Sequence, residues 1–547
     1  MTPQVPAGAR DVAGPPLLVA LDLGSGTTAA ALIGRVGGRR RLLAAAATPG
    51  GDDPDALVAE LVARVRSAEP DLAVAAGIGA DWAAAGHSRL VARTGPAPRM
   101  AIIAASEATR ERLEAIAGAA GWLTTGASAA RMEPLAMVRL ATRPGIAAIL
   151  LGSADPPDAD ERSLIDELLA VAGAVASRRS GIPVVLAGGF ARSATGPAAT
   201  AIAGSAAWDV VLAPGPASGQ PPGSDLRGVL VDFRAAPDDG RRALTRSAAS
   251  LARVLGQRIE LIDIGVSGAT RVSAVPDPFA EGGIRLDDVD APAGALLALD
   301  DPATFDRVET WSTLTLDRAR LRDRLAELHL APWSDLAADG APLRAAALRA
   351  ALERLLAAGE PSTGSAPDLV VATGAFGALP GPAVALVLAD VLRRPGATQL
   401  SLDAARLLAP LGTIRDDAAR DALIAELVED LLVPLGTMVH ARGARPGKPA
   451  GRVIIDAEGT AAEIDLEAGA LALVDLPPGQ QALADLQFRS TVDLGAPGRH
   501  FVVPVAGGLA GLLVDLRDLP DSLPDRPDQR RELLAGWEAA LWPERFG

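Results

Sequence analysis

Two apolar runs in this chain each end in an aspartate, and each aspartate leads straight into a glycine-rich turn and a second apolar run. The first reads Leu17-Leu-Val-Ala-Leu21, then Asp22-Leu-Gly24-Ser25-Gly26-Thr27-Thr28, and resumes at Ala29 to Ile33. The second reads Ile259-Glu-Leu-Ile262, then Asp263-Ile-Gly265-Val266-Ser267-Gly268-Ala-Thr270. Apolar residues on both sides of such a bend predict strand–turn–strand. The fold must therefore hold two hairpins, each with a carboxylate where its first strand ends. Alone, a Gly-Ser-Gly bend is an ordinary hairpin. As a pair, two such turns can grip one phosphate-bearing ligand from two sides. Glycines let backbone N–H groups approach phosphate, hydroxyls add donors, and each carboxylate can hold a hydrated Mg²⁺.

With 547 residues the chain exceeds a single core, so about two to four domains are expected. Hydrophobic residues at 49% and charged residues at 22% suit a soluble globular protein. The net charge of −15 argues against nonspecific nucleic-acid binding, because the field repels phosphate. A nucleotide held locally by a loop and Mg²⁺ escapes that objection. There are no cysteines, so disulfides, thiolate metal sites and a cysteine nucleophile are excluded. The four histidines, His87, His329, His440 and His500, are not at ligand spacing, which argues against zinc or haem. Met1 to Pro16 lacks the pattern of a signal peptide, and no window of about 20 apolar residues reads as a membrane span. The chain reads as cytoplasmic, without membrane or nucleic-acid partners.

Residues 1–16 read as a disordered N-terminus. Helical spacing predicts helices over 54–69, 159–177, 239–256, much of 314–356, 383–392 and 416–438. Strands are expected at 100–105, 146–151, 183–187, 210–213, 228–231 and 369–372, with a surface loop at 213–223. Strands alternating with helices argue for α/β layers. From about 450 to 520, short apolar strands between Gly, Pro and Asp turns predict a small β-sandwich or barrel, reached by a linker at 444–449. A closing amphipathic helix lies within 525–547, and its Trp537 and Trp542 are expected to pack onto the β unit.

A third turn, Thr373-Gly374-Ala-Phe376-Gly377, follows another apolar strand. The order of two aspartate-led turns and then a glycine turn resembles the actin, sugar-kinase and seventy-kilodalton-chaperone superfamily. Within it, the succession Ile149-Leu-Leu-Gly-Ser153-Ala-Asp155, Ile182 to Gly189, Leu369 to Ala375, Leu400-Ser-Leu-Asp403 and Leu408-Ala-Pro-Leu-Gly412 resembles the L-type accessory proteins of coenzyme-B12-dependent glutamate (methylaspartate) mutase, over roughly residues 17–440. The resemblance implies two actin-like (ribonuclease H-like) α/β domains, 17–238 and 239–444, facing a nucleotide cleft, with the small all-β unit behind them. It implies ATP as ligand and a cobalamin-dependent mutase as partner. Asp22 and Asp263 would hold Mg²⁺, mostly through water. Gly24, Ser25, Gly26, Thr27 and Thr28 would cradle the phosphates from one domain, and Gly265, Ser267, Gly268 and Thr270 from the other. Thr373 and Gly374 would lie against the adenosine.

The second turn departs from the family pattern, since Val266 and Ser267 separate Gly265 from Gly268; either a loop one residue longer or a backbone less able to wrap phosphate is the expectation. Ala375 stands where a second glycine is common. No general base is identifiable: Glu107 and Asp155 read as loop or helix-start carboxylates. No Gly-x-x-x-x-Gly-Lys-Ser/Thr loop occurs, and Gly24 to Ala29 leads into a strand, which argues against a Rossmann turn. Three functions remain: an ATP-hydrolysing accessory protein, a nucleotide-binding scaffold without turnover, and a small-molecule kinase.

Overall fold

The computed structural model describes residues 17–24, 26–50, 53–78, 87–94, 98–179, 182–190, 210–213, 224–234, 239–266, 268–291, 302–330, 340–359, 366–444, 447–457, 460–517, 519 and 523–541. The expected disordered stretch 1–16, the core of the 213–223 loop, Ser25, Ser267 and Trp542 lie outside them.

The first sheet is built from β1 (Leu17–Gly24), β2 (Thr27–Val36), β3 (Arg39–Pro49) and β4 (Ser88–Thr94) in the order β3-β2-β1-β4, with β4 parallel to β1. Helices α1 (Pro54–Ala68) and α2 (Pro70–Ala75) follow β3; Asp53 caps α1 and Pro54 opens it. Strand alternation sends Leu17, Val19 and Leu21 toward α1, and Leu18 and Ala20 to the opposite face.

The second sheet is wholly parallel. Its strands are β5 (Arg99–Ala104), β6 (Leu123–Ser128), β7 (Ile146–Gly152), β8 (Val184–Ala187) and β9 (Val210–Ala213), in the order β6-β5-β7-β8-β9. Helices α3 (Glu107–Ala119), α4 (Pro134–Ala141), α5 (Ala159–Arg178) and α6 (Ser224–Arg234) cover it on both faces. Met100, Ile102 and Ala104 meet α3 and α6, while Ala101 and Ile103 meet α4 and α5, which is why these strands read as unbroken apolar runs. The strand expected at 228–231 is instead part of α6. Leu226 and Leu230, four residues apart, are buried on one face, and the Trp122 indole N–H donates to the Leu230 carbonyl at 3.1 Å.

Helix α7 (Gly240–Leu255), capped by Asp239 and stopped by Gly256 in the left-handed region, leads into the third sheet. That sheet opens with β10 (Ile259–Ile264), β11 (Ala269–Pro276) and β12 (Ile284–Ala291). Helices α8 (Pro302–Trp311), α9 (Arg318–Leu330) and α10 (Gly340–Ala358) precede β13 (Leu369–Gly374). Then come α11 (Gly381–Val391), β14 (Gly396–Leu402), α12 (Leu408–Leu411), α13 (Asp417–Leu431) and β15 (Val433–His440). The first five of these strands pair as β12-β11-β10-β13-β14, with β13 parallel to β10. The first sheet's order of a three-strand meander followed by a parallel fourth strand is therefore repeated here. The helix expected to reach Met438 ends at Leu431. Pro434 disfavours helix for the residue before it, and the chain turns into β15.

The remaining strands are β16 (Pro449–Ala457), β17 (Thr460–Glu467), β18 (Leu471–Val474), β19 (Gln481–Asp493), β20 (Pro497–Ala506) and β21 (Leu512–Asp515). They do not form a self-contained β unit. Strands β17-β16-β19-β20 make a fourth sheet, while β21 and β18 extend the third sheet beyond β15. Val453, Ile455, Ala484 and Leu486 of the fourth sheet pack against Val439, Leu512 and Val514 of the third, so the sandwich borrows one layer from the preceding domain.

The last helix, α14 (Pro527–Leu541), docks beside this junction through Leu534 and Trp537, which join a core shared by the helices of the third sheet and by Leu471, Leu473 and Leu513 of β18 and β21, so Trp537 packs on part of the 450–520 stretch as expected. A buried ion network fixes the junction. Asp390 receives Arg349 at 2.6 Å and Arg517 at 2.8 Å, Arg517 also pairs with Asp515 at 2.8 Å, and its guanidinium lies 4.3 Å from the Trp537 ring centroid. No helix among the described residues is long and apolar enough to cross a membrane. Replacing Asp390 with Ala removes the buried carboxylate that two guanidiniums share, leaving Arg349 with Glu538 at 3.4 Å and Arg517 with Asp515. The expected loss is about 3–5 kcal/mol of unfolding free energy, read by urea titration, whereas exposed Asp528→Ala should change it by under about 0.5 kcal/mol.

Candidate functional site

One apolar layer lies between the first and third sheets. It is filled by Leu244, Ala248 and Leu251 of α7, Leu408 and Leu411 of α12, and Ile424, Leu427 and Leu431 of α13. Leu18 and Ala20 reach it from β1, Ile259 and Leu261 from β10, and Leu369 and Val371 from β13. Side chains alternate along a strand, so the next residue on each inner column is Asp22, Asp263 and Thr373 respectively. Asp403 ends the corresponding column just beyond β14. Four strand ends thus deliver polar groups to one edge of the layer.

The two aspartate-led turns are the same length. Leu23 pairs with Thr28 and Ile264 with Ala269, leaving four residues in each loop. The expected extra residue in the second turn is absent. The Gly265 N–H instead closes the loop on the Gly268 carbonyl at 2.8 Å. The turns also touch: a Cβ on Gly26 would stand 2.2 Å from Val266 Cγ2, so glycine is what allows Val266 to lie against the first turn. Gly374, at φ 75°, brings the end of β13 against Asp263; a Cβ there would stand 2.3 Å from Asp263 Oδ1.

Arginines that the sequence reading missed complete the arrangement. Arg406 follows β14 and reaches across to the first turn. Its guanidinium pairs with Asp22 Oδ2 at 2.8 Å and donates to Thr27 Oγ1 at 2.5 Å. Arg241, near the start of α7, lies over the second turn, with Nη2 2.4 Å from where a Cβ on Gly268 would stand. Asp403 organises the loop that carries Arg406. It accepts the Leu407 and Leu408 backbone N–H groups at 2.9 and 3.0 Å and the Thr373 hydroxyl at 3.3 Å. Thr270 is engaged elsewhere, donating to Asp290 at 2.6 Å, and Thr28 is buried within β2.

Burial pushes the Asp263 carboxyl up to about 6. Arg406 and Arg241 oppose the shift, and Asp22 and Asp403 reinforce it. Burial likewise lifts Asp403 to about 6 against its hydrogen bonds from Leu408, Leu407 and Thr373, and it lifts Asp22 against the pull of Arg406. Three carboxylates from both halves of the molecule therefore share one field with two guanidiniums. Among the described residues no three His, Asp or Glu side chains are grouped as metal ligands, so this is not a protein-only metal site. The donor set fits a divalent ion held by few carboxylate oxygens and otherwise by water and phosphate.

The parallel sheet offers a rival crevice at the carboxyl ends of β5 and β7, where its strand order reverses. The chain fills that crevice itself. Buried Glu161 accepts Ser106 Oγ at 2.7 Å, Thr109 Oγ1 at 2.8 Å and the Ala154 N–H at 2.8 Å. Glu107, at the start of α3, is bound by Arg110 and Ser128, which hold its carboxyl at about 2. Asp155 follows the carboxyl end of β7, the central strand of the same sheet.

No family model matches this chain, and no curated protein does. Several solved structures are similar to it at low identity. An ATP-dependent acetone carboxylase in its nucleotide-free form is 12% identical, covers 83% of this chain and 81% of its own, and has a TM-score of 0.29. The activator of 2-hydroxyisocaproyl-CoA dehydratase from Clostridium difficile with bound ADPNP is 12% identical over 74% of this chain and 95% of its own, with a TM-score of 0.25. Component A of (R)-2-hydroxyglutaryl-CoA dehydratase from Acidaminococcus fermentans is 10% identical over 74% and 98%, with a TM-score of 0.26. Scores this low carry no argument, and the case for the site is its geometry.

The raised carboxyls carry a pH signature. Unfolded, Asp263 and Asp403 titrate near 3.8. Between about pH 4 and 6 the folded chain holds protons that the unfolded chain has released, so stability falls as pH rises through that window. In EDTA without nucleotide, urea unfolding should give a lower free energy at about pH 7 than at about pH 5. Asp263→Asn, which mimics the protonated group, should recover about 1–3 kcal/mol at about pH 7 and little at about pH 4.

Proposed function

We propose that the chain is an ATP- and Mg²⁺-binding accessory protein with two actin-like halves, hydrolysing ATP slowly and acting on a partner enzyme, a coenzyme-B12-dependent mutase being the candidate. The observation that carries the proposal is the convergence of Asp22 and Asp263, each ending the first strand of a repeated meander, in one electrostatic cluster. Gly24, Gly26 and Thr27 on one side, and Gly265 and Gly268 on the other, are proposed to meet phosphate oxygens with their backbone and hydroxyl groups. Ser25 and Ser267 belong to the same turns in sequence and are proposed as further donors. Thr373 and Gly374, next to Asp263, are proposed to border the nucleoside, and Thr270 to support the second turn.

Asp22 and Asp263 would hold Mg²⁺, and the ion would supply charge neutralisation to the phosphates. The chain's own task is to hold the two turns at fixed separation, exclude bulk water with Val266, and orient the phosphates with backbone N–H groups and Arg406. Nucleotide state would then set how closely the halves approach, and that approach would alter the surface shown to a partner.

A second reading, binding without turnover, is favoured by one observation: Arg406 already occupies the Asp22 carboxylate. Calorimetric titration with Mg·ATP and Mg·ADP, followed by phosphate-release assays, separates the two. Wild type is expected to bind both nucleotides and release phosphate slowly. Asp22→Asn and Asp263→Asn are each expected to weaken Mg·ATP binding on the order of 10- to 100-fold. Binding without any phosphate release would favour the scaffold, and absence of binding by wild type would refute both readings.

A further inference from the structure

Arg406 stands out on four independent grounds. It is the one non-glycine residue with positive φ among the described residues, at 55°, a conformation uncommon for residues that carry a side chain. Its side chain is only 10% exposed. It leaves the loop after β14, in the half of the molecule carrying the second turn, and ends on Asp22 and Thr27 in the half carrying the first. Its Nε–H is buried without a hydrogen-bond acceptor, so the guanidinium keeps an unused donor at the cluster. The loop behind it is anchored at both ends, because Asp403 holds Leu407, Leu408 and Thr373. The side chain can move more readily than the backbone that presents it.

A guanidinium on Asp22 Oδ2 and a hydrated divalent ion on the same carboxylate compete for one place. We propose that Arg406 is an internal counter-ion that bridges the two halves across the turns, keeps divalent cations off Asp22, and gives up Asp22 when a ligand's phosphate takes the guanidinium. Cation, phosphate and arginine are thereby coupled: the phosphate draws Arg406 away, and the freed carboxylate meets the cation that accompanies the phosphate. The same exchange removes the Arg406 link between the turns, while β3 stays bound to α13 through the Arg40 and Leu42 N–H groups on Glu426 and Asp430, so ligand arrival and contact between the turns become one event. Arg406 is a positioning residue in this scheme.

This inference rests on the nucleotide reading for its ligand, yet it is testable without a nucleotide. Mn²⁺ binding to the nucleotide-free full chain, followed by electron paramagnetic resonance, reads the competition directly. Wild type should bind Mn²⁺ weakly at this site, Arg406→Gln on the order of tenfold more tightly, and Arg406→Lys near wild type because it keeps the cation. The gain should vanish in the Asp22→Asn/Arg406→Gln double variant. Inorganic tripolyphosphate should tighten Mn²⁺ binding in wild type several-fold more than in Arg406→Gln. Hydrogen exchange in EDTA should rise at residues 22–28 in Arg406→Gln and be restored by Arg406→Lys. Equal Mn²⁺ affinity in wild type and Arg406→Gln, or a gain that survives loss of Asp22, would overturn the inference. If this Mn²⁺ pattern appears while no adenine nucleotide binds, the nucleotide reading fails and the counter-ion role stands; nucleotide binding without the Mn²⁺ difference has the reverse meaning.

Discussion

The apolar layer between the first and third sheets is the constraint on which the site depends. Helices α7, α12 and α13 fill it, and the inner columns of β1, β10 and β13 close it from both sides. A column that is Leu18, Ala20 and then Asp22 can place its aspartate nowhere but at the layer's edge, and Ile259, Leu261 and Asp263 obey the same rule. Burial of the layer is thus what forces two carboxylates from distant parts of the chain into one field. Their raised pKa values record the cost of that placement, partly offset by Arg406 and Arg241.

Much of this is written locally. The hairpins at 22–28 and 263–270, the strand at 369–374 and the helix from 240 to 255 follow from alternation, glycine and capping residues that lie next to one another in the sequence. What lies outside local reach is pairing. The strands of 450–520 are recognisable one by one, but nothing near Leu512 says that β21 joins β15 rather than β20. The run Gly228 to Val231 is too short for its period to decide, and burial against Trp122 settled it as helix. Val266 and Ser267 looked like an insertion because two glycines had moved apart; the pairing of Ile264 with Ala269 shows a loop of ordinary length with different residues in it.

The arginines were the least legible part of the site. Arg241 arrives on α7 and Arg406 on a loop far from either turn, and in a chain with many surface arginines neither is marked by its neighbours. A signal did exist for Asp403: Leu400-Ser-Leu-Asp403 repeats the pattern of an apolar strand ending in aspartate. Reading it as a third strand-end carboxylate would have pointed to the loop that carries Arg406. The resulting site is more tightly knit than two separate turns, because Val266 meets Gly26 and Arg406 meets Asp22 across the same gap. In the proposed mechanism, contact between the halves at that gap would let an event at the turns change how the two sheets sit against their common layer.

The central claim is that Asp22 and Asp263 belong to one site. A double-mutant cycle of Asp22→Asn and Asp263→Asn tests it most directly, with unfolding free energy measured by urea titration at about pH 7 in EDTA. The account predicts a coupling of about 0.5–3 kcal/mol between the two positions, because neutralising either carboxylate changes the field at the other. Effects that add to within about 0.3–0.5 kcal/mol would mean the two strand ends do not share a site, and would contradict the account.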